Sequence, residues 1–206
     1  MTTYVQTHLR SERAAKLIAL AMIAVVLTQI AYITLKGEVV TGKLIWSVEA
    51  FTFSAIAVLA LLRLGQGGGS ALVPPLAWAS LSLFGLVNLF VVGIGLTMFG
   101  PLGDAGKVLG PVMSAVLAFA FFLYFTGKVL VGVAAIAIGL PLLNAGSGPA
   151  KLIGGVCALA GLAALAINST GVVMGMDVVT AAGSAGTAAT LFAAIALLIM
   201  PHSAQT

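Results

Sequence analysis

Phe121–Gly132 reads FFLYFTGKVLVG, and the number of times this chain crosses a membrane depends on what its TGK, residues 126–128, is doing. Lys128 is the only charge between Val108 and Leu143. That stretch is much too long for one crossing, which takes roughly 20 apolar residues. A small polar tripeptide containing glycine interrupts the run near its middle, where glycine permits a reversal of direction. The spacing therefore predicts a tight turn at 126–128 between two spans, 108–126 and 129–146.

The surrounding composition fixes the class. Of 206 residues, 61% are hydrophobic and 7% charged, with a mean hydropathy of +1.22, whereas soluble domains carry about 25% charged residues. In lipid every backbone polar group must be bonded internally, and these apolar runs are too long and continuous for barrel strands. The expectation is an all-α, polytopic transmembrane bundle forming one integral membrane domain, residues 1–206, with loops too short for a soluble domain. Charged and Gly/Pro-rich joints predict seven spans: 16–35, 44–63, 76–99, 108–126, 129–146, 152–174 and 180–200. The loop GQGGGSALVPP, residues 65–75, separates the second from the third. The polar NSTG, residues 168–171, delimits the last two poorly, and six spans plus a re-entrant segment is the alternative.

Arg10, Arg13 and Lys16 precede the first span and place the amino terminus in the cytoplasm by the positive-inside rule. Seven spans then put the carboxyl terminus outside. The remaining bases give little bias, with Arg63 and Lys128 inside and Lys36, Lys43, Lys107 and Lys151 outside. The basic amino-terminal segment runs into a long apolar stretch without a signal-type cleavage pattern, so the first helix is read as retained. The Ala, Gly, Leu and Val bias suits a bacterial inner membrane.

Absent motifs exclude several chemistries. His8 and His202 lie near the chain ends and cannot supply paired axial haem ligands. Cys157 is a lone cysteine, which rules out an intramolecular disulfide and a Cys-x-x-Cys centre. With TGK read as a turn, no lysine is left mid-span for a Schiff base. GPLGDAGKV, residues 100–108, lacks the first glycine and the final Ser/Thr of a phosphate-binding loop. No hydrolase elbow or zinc-protease helix is present. The chain reads as a non-enzyme with no cofactor and no metal. Its scattered bases give no support to nucleic-acid binding. The bilayer is the expected partner, together with a homo-oligomer or a larger membrane complex.

One acid falls firmly in an apolar run: Glu49, in WSVEAF, residues 46–51. Intramembrane acids are costly and mark functional sites by default. Glu49 lies six residues past Lys43, about 9 Å along the helix. On the preceding span Gln29 and Tyr32 lie about 10 Å and about 6 Å from Lys36, bracketing that depth. The predicted cluster is Gln29, Tyr32, Glu49 and Thr52, in the outer half of the membrane. Two roles compete: a structural clasp for the first helix pair, which ranks first, and a proton- or cation-coupling acid.

Elsewhere, Asn88 is a weaker pathway candidate whose simpler reading is a bond to a neighbouring helix. Asn168 is placed toward a span end, where water or capping satisfies it. Gly106/Gly110 and Gly171/Gly175 have close-packing spacing, and Trp46, Trp78 and Tyr124 suit interfacial positions. The expected function is a small transporter or channel for a small solute or ion. The alternative is a non-catalytic accessory or assembly subunit binding another membrane protein or lipid.

Overall fold

The computed structural model describes residues 2–35, 39–66 and 73–200, with side chains from residues 12, 42 and 73 onward in the three segments. His8, His202, Lys36, Glu38 and most of the glycine-rich loop fall outside the described side chains. Seven α-helices are present among the described residues: α1 Thr2–Thr34, α2 Val39–Gly65, α3 Pro75–Thr97, α4 Phe99–Asp104, α5 Gly110–Ala145, α6 Gly148–Met174 and α7 Val179–Ile199. Short 3-10 turns, Gly106–Leu109 and Gly175–Val178, precede α5 and α7.

Proline starts three of these helices. Pro75 opens α3 behind an extended Pro74, and α5 and α6 likewise carry proline in the first turn. There the missing N–H has no intrahelical partner to lose, and the fixed φ suits the helix. Gly106 and Gly175 stand at the turns with φ of 59° and 67°, a region costly for any residue with a Cβ. They are turn residues rather than the close-packing glycines their spacing implied, and Gly110 likewise has no neighbour within 4 Å of where a Cβ would sit.

Five helical stretches are long and apolar enough to cross a membrane: Glu12–Thr34, Gly42–Gly65, Pro75–Asp104, Gly106–Ala145 and Gly148–Ile199. The expected count of seven is therefore corrected. The main cause is TGK, which is no turn: α5 runs unbroken from Gly110 to Ala145. Thr126 donates to Phe122 O at 2.8 Å within the helix. Gly127 has no positive φ; its bare face receives the Asn88 side chain of α3. Glycine here serves helix approach, not chain reversal. The last stretch folds as α6 and α7, which pack on each other around the Gly175–Val178 turn.

Small residues set the interfaces. A Cβ on Gly132 would lie 2.9 Å from Gly161 O, and one on Gly139 would lie 2.6 Å from Ala158 N, so α5 and α6 meet backbone to backbone. Gly85 plays the same part between α3 and α2, 2.6 Å from Phe53 O. Such contacts let dispersion and weak polar contacts act where lipid removes most of the hydrophobic drive between helices.

The packing order positions the site. α1 packs on α2, α2 on α3, α3 on α5, α5 on α7 and α7 on α1, which closes a ring of five helices with α6 behind α5 and α7. Among the described residues, α1 and α5 do not pack on one another across the ring, nor do α2 and α5. Much of the interior is apolar, filled by Ile18, Met22, Phe53, Ile56, Leu81, Phe84, Ala134, Ile138 and Ala193.

Candidate functional site

Above that apolar filling, the ring helices turn polar side chains toward each other. α5 contributes Lys128, which is 0% exposed and 18 residues from the helix start, near its midpoint. Its ammonium donates to Gln29 Oε1 of α1 at 2.9 Å. Lysine can only donate, so the Gln29 atom it meets must be the oxygen. The same oxygen accepts from Thr187 Oγ1 of α7 at 2.7 Å. α2 contributes Glu49, 7% exposed, whose Oε1 accepts from Thr28 Oγ1 of α1 at 2.9 Å. That hydroxyl also lies 2.9 Å from Val25 O, so its single proton is shared between two acceptors.

Glu49 and Lys128 are brought to the same ring interior by bonds to successive residues of α1, Thr28 and Gln29. Among the described residues, however, they form no ion pair within 4.0 Å. Each is held by neutral groups from α1: the acid by Thr28, the amine by Gln29. The Tyr124 ring, one turn before Lys128 on α5, presents itself 5.4 Å from Nζ. An aromatic face at this range attracts a cation.

The amine reaches this position because α7 has a notch. A Cβ on Gly186 would lie 2.8 Å from Lys128 Cγ and 3.0 Å from its Cβ. On the opposite flank Gly127 admits Asn88, which is 3% exposed and donates to Phe84 O at 2.8 Å in its own helix. Asn88 thus borders the site on α3 rather than bonding across helices.

The predicted cluster is rearranged. Gln29 and Glu49 share the interior, as depth implied, but they do not bond each other. Tyr32 is 44% exposed and lies tilted against Trp46, centroids 5.9 Å apart, while Phe99 meets Trp46 edge-on at 5.8 Å. Thr52 donates to Val48 O of its own helix at 2.7 Å. Neither joins Glu49. The expectation that no lysine lies mid-span is overturned by Lys128, and with it the ground for excluding amine chemistry there. Tyr124 lies beside that lysine rather than serving as an interfacial anchor. Trp78 is buried under the Arg63 guanidinium, 5.2 Å from its ring. Asn168 is also buried, donating to Ala164 O at 2.9 Å and to Ala182 O of α7 at 3.1 Å.

Lys128, Thr28, Thr187 and Gly186 were missed because each matters only through a distant helix. One signal was present: Tyr124 and Lys128 are four apart, on one helix face, and Lys128 is alone in a long uncharged run. Read as helix, that pattern is an aromatic and an amine pointing the same way inside a membrane.

The cluster sits off centre. Gln29 is six residues, about 9 Å, from the Leu35 end of α1, while Ala15 at the other side is about 21 Å away. Tyr32, between Gln29 and the near end of α1, carries the aromatic group with Trp46 and Phe99; toward the far end lies the apolar core. Comparison with protein-family models, curated proteins and solved structures gave no significant match to this chain.

Proposed function

We propose that the chain is a small multi-pass membrane transporter for a small solute or ion, in which Glu49 and Lys128 form the coupling site. The supporting observation is the unclosed pair: two ionisable side chains inside one helix ring, each held by a neutral partner instead of by the other. The Thr28–Glu49 bond ties α1 to α2, as a clasp of that helix pair would; the buried Lys128, bonded to Gln29 and not to the acid, is what such a clasp does not call for. Without a direct ion pair between them, their charge balance responds to a proton or a guest ion. Intramembrane ionisable groups facing a bundle interior characteristically mark such pathways.

In this reading α1, α2, α3, α5, α6 and α7 each cross once. With the amino terminus cytoplasmic, Arg10, Arg13, Lys16, Arg63 and Lys151 lie inside and Lys36, Lys43 and Lys107 outside, a clearer positive-inside bias than seven crossings give. The carboxyl terminus is then cytoplasmic, the membrane is a bacterial inner membrane, and the site lies nearer its outer face.

The test is flux in liposomes against a panel of small solutes and ions, with and without a pH gradient. Wild type should show gradient-dependent flux that Glu49→Gln loses while remaining folded. Identical gradient dependence in the two proteins would remove Glu49 from the mechanism. A sound reconstitution without any flux would instead favour an accessory subunit. That second reading draws on the apolar first half of α5, where Val112, Phe119 and Phe122 are exposed; its sign would be stoichiometric co-purification of another membrane protein from mild detergent.

A further inference from the structure

We infer that the interior site is a binding site for a monovalent inorganic cation of the sodium or potassium class, and that the Lys128 ammonium is a tethered occupant of it. This rests on the reading of Glu49 and Lys128 as one working site.

The argument comes from the direction of the hydrogen bonds. An anion site needs converging donors, but here the Thr28 and Thr187 hydroxyls spend their protons on Glu49 Oε1, Val25 O and Gln29 Oε1. What these bonds leave facing the ring interior is acceptor oxygen: the amide oxygen of Gln29 with two donors aimed at it, and, beside the adjacent Thr28, the Glu49 carboxylate. Oxygen donors of this kind suit hard cations. The Tyr124 face adds a surface that favours positive charge. A single carboxylate supplies one negative charge, which one monovalent ion balances and a divalent ion exceeds.

Lys128 fills this place from outside the oxygen set. Its stem lies in the Gly186 notch and its Nζ takes the Gln29 oxygen, with three N–H donors for the single acceptor bonded to it among the described residues. The ammonium is thus a singly charged cation on a four-carbon chain, held by an amide oxygen of the kind that also suits a free cation. A free cation and the Lys128 ammonium then compete for Gln29 and for the field of Glu49, so that one positive charge occupies the site at a time.

The experiment removes the tethered charge and asks whether a free ion replaces it. Wild type, Lys128→Met, Lys128→Ala and the double variant Lys128→Met with Glu49→Gln are purified in mild detergent. Thermal unfolding is followed in sodium, potassium or choline chloride at equal ionic strength, with binding of radiolabelled sodium measured in parallel. Either single variant should show a saturable rise of about 3 °C or more in sodium or potassium over choline, from ligand linkage to the folded state. Wild type should show less than about a third of that rise, and the double variant none. Lys128→Ala serves if Lys128→Met fails to fold. Folded single variants without cation-specific stabilisation or sodium binding would overturn the inference. So would a wild-type protein stabilised by chloride over gluconate in a Lys128-dependent way. Gradient-dependent flux of some solute without cation binding would overturn the cation assignment yet leave the transport reading standing; cation binding without flux would support the site and remove transport.

Discussion

Lys128 Nζ meets Gln29 Oε1 at 2.9 Å across 99 residues of sequence, joining two helices that otherwise do not pack on one another. Replacing Gln29 by Leu deprives a fully buried ammonium of its acceptor. A loss of about 1–3 kcal/mol is expected, seen as a lower melting temperature in detergent. Gln29→Glu should restore much of it by supplying an acceptor. Equal melting of Gln29→Leu and wild type would mean that the bond carries no net stability.

Lys128→Met tests the opposite change. A buried amine exchanged for an apolar chain of similar length removes desolvation along with the bond, and such exchanges are often neutral or stabilising. In choline buffer the variant should melt within a few degrees of wild type or above it, while losing coupled flux. With Glu49→Gln added, a double-mutant cycle should give a coupling energy of about 0.5–3 kcal/mol. A cycle that sums to zero would show the two charges to be energetically independent.

The Gly186 notch offers a steric test. Gly186→Ala places a methyl 2.8 Å from Lys128 Cγ, and overpacking of this kind costs about 1–3 kcal/mol. Shortening the stem with Lys128→Ala in the same chain should recover most of the loss. A Gly186→Ala defect that Lys128→Ala leaves unchanged would place the clash elsewhere.

Six crossings can be separated from seven by cysteine labelling. Cys157 is buried, so it gives a quiet background for Ser147→Cys and Asp177→Cys. An impermeant maleimide added outside cells should label the cysteine at 177 and spare that at 147. Seven crossings predict the reverse.

The class of the fold was legible because composition and span length follow from the solvent alone. Depth was legible too: counting residues from Lys43 and Lys36 put Glu49 and Gln29 at one level. Rotation was not. Thr28 and Gln29 are adjacent, yet one bonds α2 and the other reaches α5 and α7, a division set by where α7 packs. TGK was misread for a related reason. A lysine at helix centre costs about 2.5–3.5 kcal/mol on insertion scales, so a turn is the better local solution. Only the acceptor brought by α1 and the notch brought by α7 make the helix acceptable.

α5 carries a last consequence. Its 36 residues extend about 54 Å, while a hydrocarbon core of about 30 Å crossed at a steep tilt of about 40° takes up roughly 26 of them. The surplus is apolar at its amino-terminal end, with Val112 and Phe119 exposed. Mismatch of this size couples the tilt of α5 to the thickness of the surrounding lipid. Membranes of longer acyl chain should hold α5 upright and those of shorter chain should tip it, moving Lys128 relative to Gln29 of α1 and Gly186 of α7. Flux measured across a series of lipid chain lengths should therefore pass through an optimum, and a flat response would uncouple the tilt of α5 from the site it carries.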